Sequence, residues 1–410
     1  MNTAATLGAS PMMLAYAAAQ AAAPTHLVLY RVGEFYEVLG RDAATVSRAL
    51  GLQLTRRRQK NADDVPMCGV PAGTSEQAIA RLLTAGHKVA ISEQPTQEGR
   101  ERSLRRLTPA TSVDADVIPG GRTNNLTVAL TEGNVVAFAW VDLSTGEAGA
   151  TTASLEGCGP ALSRIAPAEI LVARWPECSE ALAIAVRSSG TPCSNLPEAE
   201  DLQDEPGTVL RQVYGEEWRD RLRGFSPAET VAMAVLLDYV RATLGQLPDG
   251  LPPPRRTLMS DTVQVDAPTL RGLEVLTSGS GRDGSLLSVI DRTVTTAGAR
   301  LLARQLAGPL TSPQQIGRRL AMVRFMVDSP QVRADCREDL GSMPDMLRAC
   351  GRLSLGKGGP RDLAAVRDGL ERAAAIATRL RGAGELPPGL ASAVRELSAA
   401  LEGNCATAAR

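Results

Sequence analysis

Phe35 and Glu37 are the residues whose types and spacing most directly suggest chemistry. They stand in Gly33-Glu34-Phe35-Tyr36-Glu37, just past an apolar, strand-like run. Phenylalanine is scarce, 4 in 410 residues, and aromatics make up 3% of the chain, so a ring here asks for a reason. An aromatic pair between two acids is poor core material. Residues i and i+2 of a strand point the same way. Phe35 and Glu37 would therefore share a face, and a core face does not readily take a glutamate. The spacing predicts one exposed site at a strand edge, a flat ring beside a carboxylate. Such a ring can wedge between stacked bases while the acid hydrogen-bonds what it unstacks. The competing reading is an ordinary core ring next to a solvated acid.

A basic run follows in the same region, Arg56-Arg57-Arg58-Gln59-Lys60, after a short extended segment Leu52–Thr55. Taken alone, such a run is a solvated loop. Sharing a small domain with Phe35 and Glu37 favours the rival reading, contact with phosphates or a minor groove. Residues 1–110 carry 13 Lys and Arg against 9 Asp and Glu, a local excess that points to a polyanion. The whole chain, at net charge −1, is no polycation; 44% hydrophobic and 22% charged is ordinary globular composition.

Other apparent motifs fail on context. Gly279-Ser280-Gly281-Arg282-Asp283-Gly284 matches GxGxxG, but helical patterns flank it where a dinucleotide fold needs a preceding strand. It reads as a flexible interhelical loop. Gly351-Arg352-Leu353-Ser354-Leu355-Gly356-Lys357 opens like a P-loop, yet Gly358 follows where Ser or Thr would hold magnesium. Asp142 and Glu147 flank a turn and read as solvated carboxylates, with no third acid or His nearby to make a metal site. No HExxH or GxSxG occurs. Seven cysteines (68, 158, 178, 193, 336, 350, 405) form no CxxC, and His26 and His87 are the only histidines, so free thiols fit better than zinc or disulfides. The Ala-rich stretch 14–23 reads as a helix broken by Pro24 rather than a signal peptide, and no apolar run reaches the ~18 residues of a membrane span.

The elements that must position these residues fall into three regimes. In 1–110, helices (Met12–Ala23, Asp42–Leu50, Ser75–Ala85) alternate with strands (His26–Val32, Leu52–Thr55, Lys88–Ile91), with Gly51 and Gly86 as helix stops. Residues 100–122 are charged, then rich in Pro, Gly and Thr, and read as a linker. Strands Leu126–Leu130, Val135–Val141 and Gly146–Thr152 form a meander. Strand Glu169–Val172 and a long helix Pro227–Leu244 follow, ended by Gly245. Leu251-Pro252-Pro253-Pro254 is a stiff break. From 265 onward the pattern is helical: Ala297–Leu306, Pro313–Val327, Asp362–Leu380 and Pro388–Leu401, with Ser312-Pro313 and Ser329-Pro330 as cap-plus-first-turn starts. This gives domains at 1–110, 123–250 and 265–410, with linkers at 111–122 and 251–264.

Several of these segments resemble the MutS family of mismatch repair proteins, in collinear order along nearly the whole chain. Pro11-Met12-Met13, Val32 to Glu37, Ser47-Arg48-Ala49-Leu50-Gly51, Pro66-Met67-Cys68-Gly69-Val70-Pro71 and Lys88 to Gln94 look like its mismatch-recognition domain. Trp140 to Glu147 and Pro167-Ala168-Glu169-Ile170-Leu171 look like its connector. Asp283 to Leu287, Asp291-Arg292-Thr293, Gly298 to Leu302, Pro309-Leu310-Thr311 and Pro360 to Leu363 look like the start of its lever. Ala72-Gly73 depart from the family, which has a bulky residue and then His there.

The resemblance implies a multidomain fold. It comprises an α/β mismatch-recognition domain, an α/β ribonuclease H-like connector without its active site, and an incomplete all-α lever/core domain. It implies mismatched-DNA binding in DNA mismatch repair. Phe35 would stack into a mispaired or unpaired step from the minor groove, the step cheapest to open. Glu37 would hydrogen-bond the displaced base, its carboxyl sharing a proton to avoid repelling the DNA. Arg56 and Arg57 fall where the family has basic residues near DNA, and Arg58 and Lys60 extend that candidate set. No catalytic residue, metal ligand or cofactor is expected in this chain. ATP and Mg would belong to the ATPase of a full-length member. Mismatched double-stranded DNA is the expected partner, with a MutL-type protein through the connector, a homodimer in full-length form, and no membrane. The expected location is the bacterial cytoplasm, at the nucleoid. The chain reads as an N-terminal fragment or a truncated relative. A protein-interaction module acting only through the connector and a nucleotide-dependent enzyme using 279–284 or 351–357 are the alternatives.

Overall fold

The computed structural model describes residues 10–58, 63–94, 102–112, 118, 120–173, 178–196, 206–279 and 281–408. The chain divides into two compact units, Met1–Pro119 with Leu237–Leu247, and Gly120–Leu236 with Pro248–Arg410. A mixed α/β N-terminal region leads to a helical C-terminal part.

In the first unit, α1 (Pro11–Ala22) begins where the Ser10 hydroxyl accepts the Met13 amide, with Pro11 in the first turn. β1 (Leu27–Val32) turns directly into β2 (Phe35–Leu39). Between them Gly33 takes φ +56°, and Glu34 does not take a positive φ. That pattern suits a type II′ hairpin turn, which needs Gly first. α2 (Arg41–Leu50) stops at Gly51, in the left-handed region at φ +70°. β3 (Thr55–Arg57), β4 (Val65–Pro71), α3 (Ser75–Thr84), β5 (Val89–Ser92) and β6 (Leu104–Leu107) complete the unit's sheet. Its order is β3-β4-β2-β1-β5-β6, antiparallel except for β1 with β5.

The two faces of this sheet are covered unequally. α2 and α3 pack on one, over Leu29, Tyr36, Val38, Cys68, Val70 and Ile91. α1 packs on the other, where Met13 and Tyr16 meet Val28, Tyr30, Leu39, Val65 and Ala90. The Tyr16 hydroxyl accepts the Leu39 amide at 2.9 Å, pinning α1 to that end of β2.

Two expectations are corrected here. β2 is an interior strand with β1 and β4 on either side, so Phe35 and Glu37 lie on a sheet face, not at a sheet edge. The stretch read as a linker from residue 100 contains β6, which pairs with β5, and a 3-10 turn at Pro109–Thr111 capped by Thr108. Leu104 and Leu107 have opposite parity, so each packs on a different face of the sheet, Leu104 with α1 and Leu107 with α2 and α3.

In the second unit, β7 (Asn125–Glu132), β8 (Val135–Asp142) and β9 (Glu147–Ser154) form an antiparallel meander. α4 (Cys158–Ile165), β10 (Pro167–Val172), α5 (Glu180–Ser189) and β11 (Cys193–Asn195) follow, then α6 (Pro206–Tyr214), α7 (Trp218–Arg221), α8 (Pro227–Leu244) and β12 (Arg255–Arg256). The residues of α8 from Leu237 belong to the first unit. The sheet runs β11-β10-β7-β8-β9-β12, with β10 parallel to β7, β11 parallel to β10 and β12 parallel to β9. Phe138, Leu162, Ile170, Leu182 and Val186 form its core with α4 and α5.

Helices then take over: α9 (Ala267–Gly272), α10 (Leu286–Ile290), α11 (Thr296–Ala307), α12 (Pro313–Asp328), α13 (Pro330–Gly341), α14 (Met346–Ser354), α15 (Pro360–Gly382) and α16 (Pro388–Ala408). Ser312 caps α12 by accepting the Gln315 amide. Ser329 makes no such bond; it also closes α12, its amide donating to the Phe325 carbonyl. Arg300, almost fully buried, grips Asp345 through two hydrogen bonds of 2.7 and 3.0 Å and the Gly120 carbonyl at 2.9 Å. No described helix is long and apolar enough to cross a membrane.

Candidate nucleic-acid interface

Strand alternation in β2 sorts its side chains. Phe35, Glu37 and Leu39 point to the face that α1 shares, and Tyr36 and Val38 point into the α2–α3 core. α1 reaches Leu39 but not the other end of the strand, so the Phe35 ring is left 50% exposed. Burying such a ring contributes roughly 1.5–3 kcal/mol, and about half of that is forgone here. Register sets Phe35 opposite Val32 and Pro71, and Glu37 opposite Tyr30 and Gly69. A Cβ built on Gly69 would lie 3.6 Å from Phe35 Cδ1, so the ring rests beside a position that offers it backbone alone.

Tyr36 does not join this site. It is 6% exposed in the α2–α3 core, a correction to the reading of the aromatic pair as poor core material. A short strand between two acids still alternates, so one of two adjacent rings must turn inward. Its hydroxyl donates to Glu93 at 2.5 Å, and burial together with that bond raises the phenol's pKa.

β3 divides the basic run in the same way. Arg57 shares the Phe35 face and its guanidinium donates to Glu37 Oε2, forming an ion pair. Arg56 points to the opposite face and is exposed, as is Arg58 just past the strand. Lys60 lies outside the described residues. Of the candidate set, the fold therefore brings Phe35, Glu37 and Arg57 together.

Arg102 was not foreseen. It comes to this face because β6 pairs with β5. Its guanidinium stands 3.9 Å from the Tyr30 ring centroid, donates to Ser92 Oγ at 3.2 Å, and donates to the Arg31 carbonyl at 2.5 Å. Tyr30 is the neighbour of Glu37 across β1. The open face thus carries a ring and a carboxylate flanked by two guanidinium groups, Arg57 beyond β4 and Arg102 beyond β1. No local sequence signal marks Arg102, which lies in a stretch that looks like linker.

The rejected motifs have structural explanations. Gly351 sits inside α14, with no strand before it. A Cβ there would lie 2.3 Å from the Ser144 carbonyl oxygen, so the glycine serves a close helix approach, not a phosphate. The 279–284 loop joins α9 to α10, closed by a bridge of Ser278 with Gly281. Asp142 is not a solvated turn acid. It is fully buried, accepting the Asn124 amide at 2.8 Å, the Ser144 amide at 2.9 Å and the Ser144 hydroxyl at 2.6 Å. Glu147 pairs with Arg304. Among the described residues no cluster of three or more His, Cys, Asp or Glu could hold a metal ion.

Residues 10–135 match the family model of MutS domain I, and residues 268–407 match that of MutS domain III. The chain is 38% identical over 407 residues to the DNA mismatch repair protein MutS of Rhodopseudomonas palustris (strain BisA53), covering 95% of this chain and 44% of that protein. It is 38% identical over 384 residues to the protein of that name from Cereibacter sphaeroides (strain ATCC 17029 / ATH 2.4.9), covering 90% of this chain and 43% of the relative. The figures for the Paracoccus denitrificans (strain Pd 1222) protein are again 38%, 384 residues, 90% and 43%. The chain spans less than half the length of these curated relatives.

Proposed function

The chain belongs to the MutS family of DNA mismatch repair proteins, and from that premise we propose that its first unit binds duplex DNA at mispaired or unpaired steps. The carrying observation is the half-exposed Phe35 ring on one open face with Glu37, inside the region that matches MutS domain I. Phe35 enters a base step from the minor groove. Unstacking costs a few kcal/mol and a mispaired step costs least, so discrimination is largely readout of deformability. Glu37 hydrogen-bonds the displaced base. Arg56, Arg58, Lys60 and Arg102 supply the positive potential that holds the backbone.

The second unit's sheet supports a ribonuclease H-like connector. Its meander β7-β8-β9 is flanked by parallel strands, and the Asp142 carboxylate is spent on the turn it closes. We assign it the relay to a MutL-type partner. ATP hydrolysis with Mg, and the homodimer, belong in this reading to the part of the family's length that this chain does not span. The location is the bacterial cytoplasm, on the nucleoid.

A gel-shift titration with paired duplex and duplex carrying one unpaired thymine tests this. Tighter binding to the second is expected, with both affinities falling as salt rises. Equal affinity, unchanged by Phe35→Ala, would leave the reading of a protein-interaction module acting through the connector.

A further inference from the structure

We propose that Arg57 is a specificity-determining residue of this face, holding Glu37 charge-neutralised with one oxygen open, rather than serving as one more phosphate contact. The inference rests on the reading of the Phe35 face as a mismatch reader. β3 alternation turns Arg57 alone of the three described arginines toward Glu37.

Arg57 is in register with Val65 and Glu37 with Gly69, so the guanidinium extends diagonally across β4 to make the pair. An extended side chain loses rotamer entropy, so it needs a partner that repays it. Glu37 is that partner, and its side chain is only 16% exposed beneath the pair.

A carboxylate carried into a DNA groove meets negative potential from two backbones. The other nearby cations are engaged: Arg31 stands over the Tyr36 ring and near Glu34, and Arg102 over Tyr30 with Ser92. Arg57 offsets the Glu37 charge by pairing with it. Its bond occupies Oε2, and among the described residues Oε1 has no partner. The open oxygen is an acceptor. The displaced base it reads is one presenting an N–H donor, such as thymine at N3.

The test measures the affinity ratio of unpaired-thymine duplex to paired duplex for wild type, Arg57→Ala, Arg57→Lys, Glu37→Gln and the double variant E37Q/R57A. Arg57→Ala should lower the ratio about tenfold, less than truncating a fully buried charge pair would, because Arg57 is partly exposed. Affinity for the paired duplex should change much less. Arg57→Lys should keep most of the ratio, and E37Q/R57A should exceed R57A, because glutamine needs no counter-charge. Replacing the thymine by N3-methylthymine should erase the Glu37 contribution. Equal weakening of both duplexes by R57A, with the salt slope reduced by about one and no coupling to E37Q, would make Arg57 a phosphate contact and overturn the proposal. A wild-type ratio of one, insensitive to Phe35→Ala, would instead overturn the reading of the face and this assignment with it.

Discussion

Phe35 and Gly69 are neighbours on one sheet face, with the ring's Cδ1 3.6 Å from where a Gly69 Cβ would stand. That distance is ordinary contact, and no positive φ restricts Gly69. Gly69→Ala should therefore fold, gaining up to about 0.5–1 kcal/mol from the lost unfolded-state freedom. Gly69→Leu should push the ring aside, keep the fold, and reduce mismatch preference. Urea denaturation read beside duplex titration separates the two effects. Preserved preference in the leucine variant would mean that ring orientation is set elsewhere.

At Gly351 the same substitution should act in the opposite sense. Alanine ordinarily favours a helix interior by about 1 kcal/mol over glycine. Here its Cβ would meet the Ser144 carbonyl at 2.3 Å, which backbone cannot yield cheaply. Gly351→Ala should cost about 1–3 kcal/mol as an overpacking lesion. A thermal melt showing stabilisation would refute the close approach of α14 to the β8–β9 turn.

Asp142 should be a stability residue. Removing it as Asp142→Ala strands the Asn124 and Ser144 amides in a buried turn. Each orphaned buried donor costs about 1–3 kcal/mol, so a loss of roughly 2–5 kcal/mol is expected in chemical denaturation. A change below 0.5 kcal/mol would show that water or a relaxed turn satisfies both amides.

His26 gives the fold a dependence on pH. Burial first, then Lys88 and Arg106, lower its pKa to about 4 from an ordinary value of 6.5. The unfolded chain then binds the proton that the folded chain refuses, so stability falls as pH drops from 6.5 toward 4 and levels off below. The slope for one proton is at most about 1.4 kcal/mol per pH unit. His26→Gln should flatten that segment of the stability curve, and an unchanged slope would assign it to other groups.

These residues also mark where sequence reasoning reached and where it stopped. Gly51 as a helix stop and Ser312-Pro313 as a helix start were legible because each is decided within a few residues. The shared face of Phe35 and Glu37 was legible too, since strand parity is local. Arg102 was not, because it reaches the face only through the pairing of β5 with β6. The Arg57–Glu37 pair depends on register across a third strand, and the burial of Asp142 on an amide 18 residues away. In each case the deciding contact was tertiary, and residue type at the site carried no trace of it.

Mismatch reading by this face requires Phe35 to enter a weakened base step. The most direct measurement is fluorescence of 2-aminopurine set beside an unpaired thymine, titrated with wild-type chain and with Phe35→Ala. Wild type should raise the fluorescence as the step unstacks, and should bind that duplex about tenfold or more tighter than Phe35→Ala does, in line with the ~1–3 kcal/mol of one base–aromatic stack. Phe35→Ala should bind with little fluorescence change. Equal fluorescence rise and equal affinity for the two chains would contradict the claim.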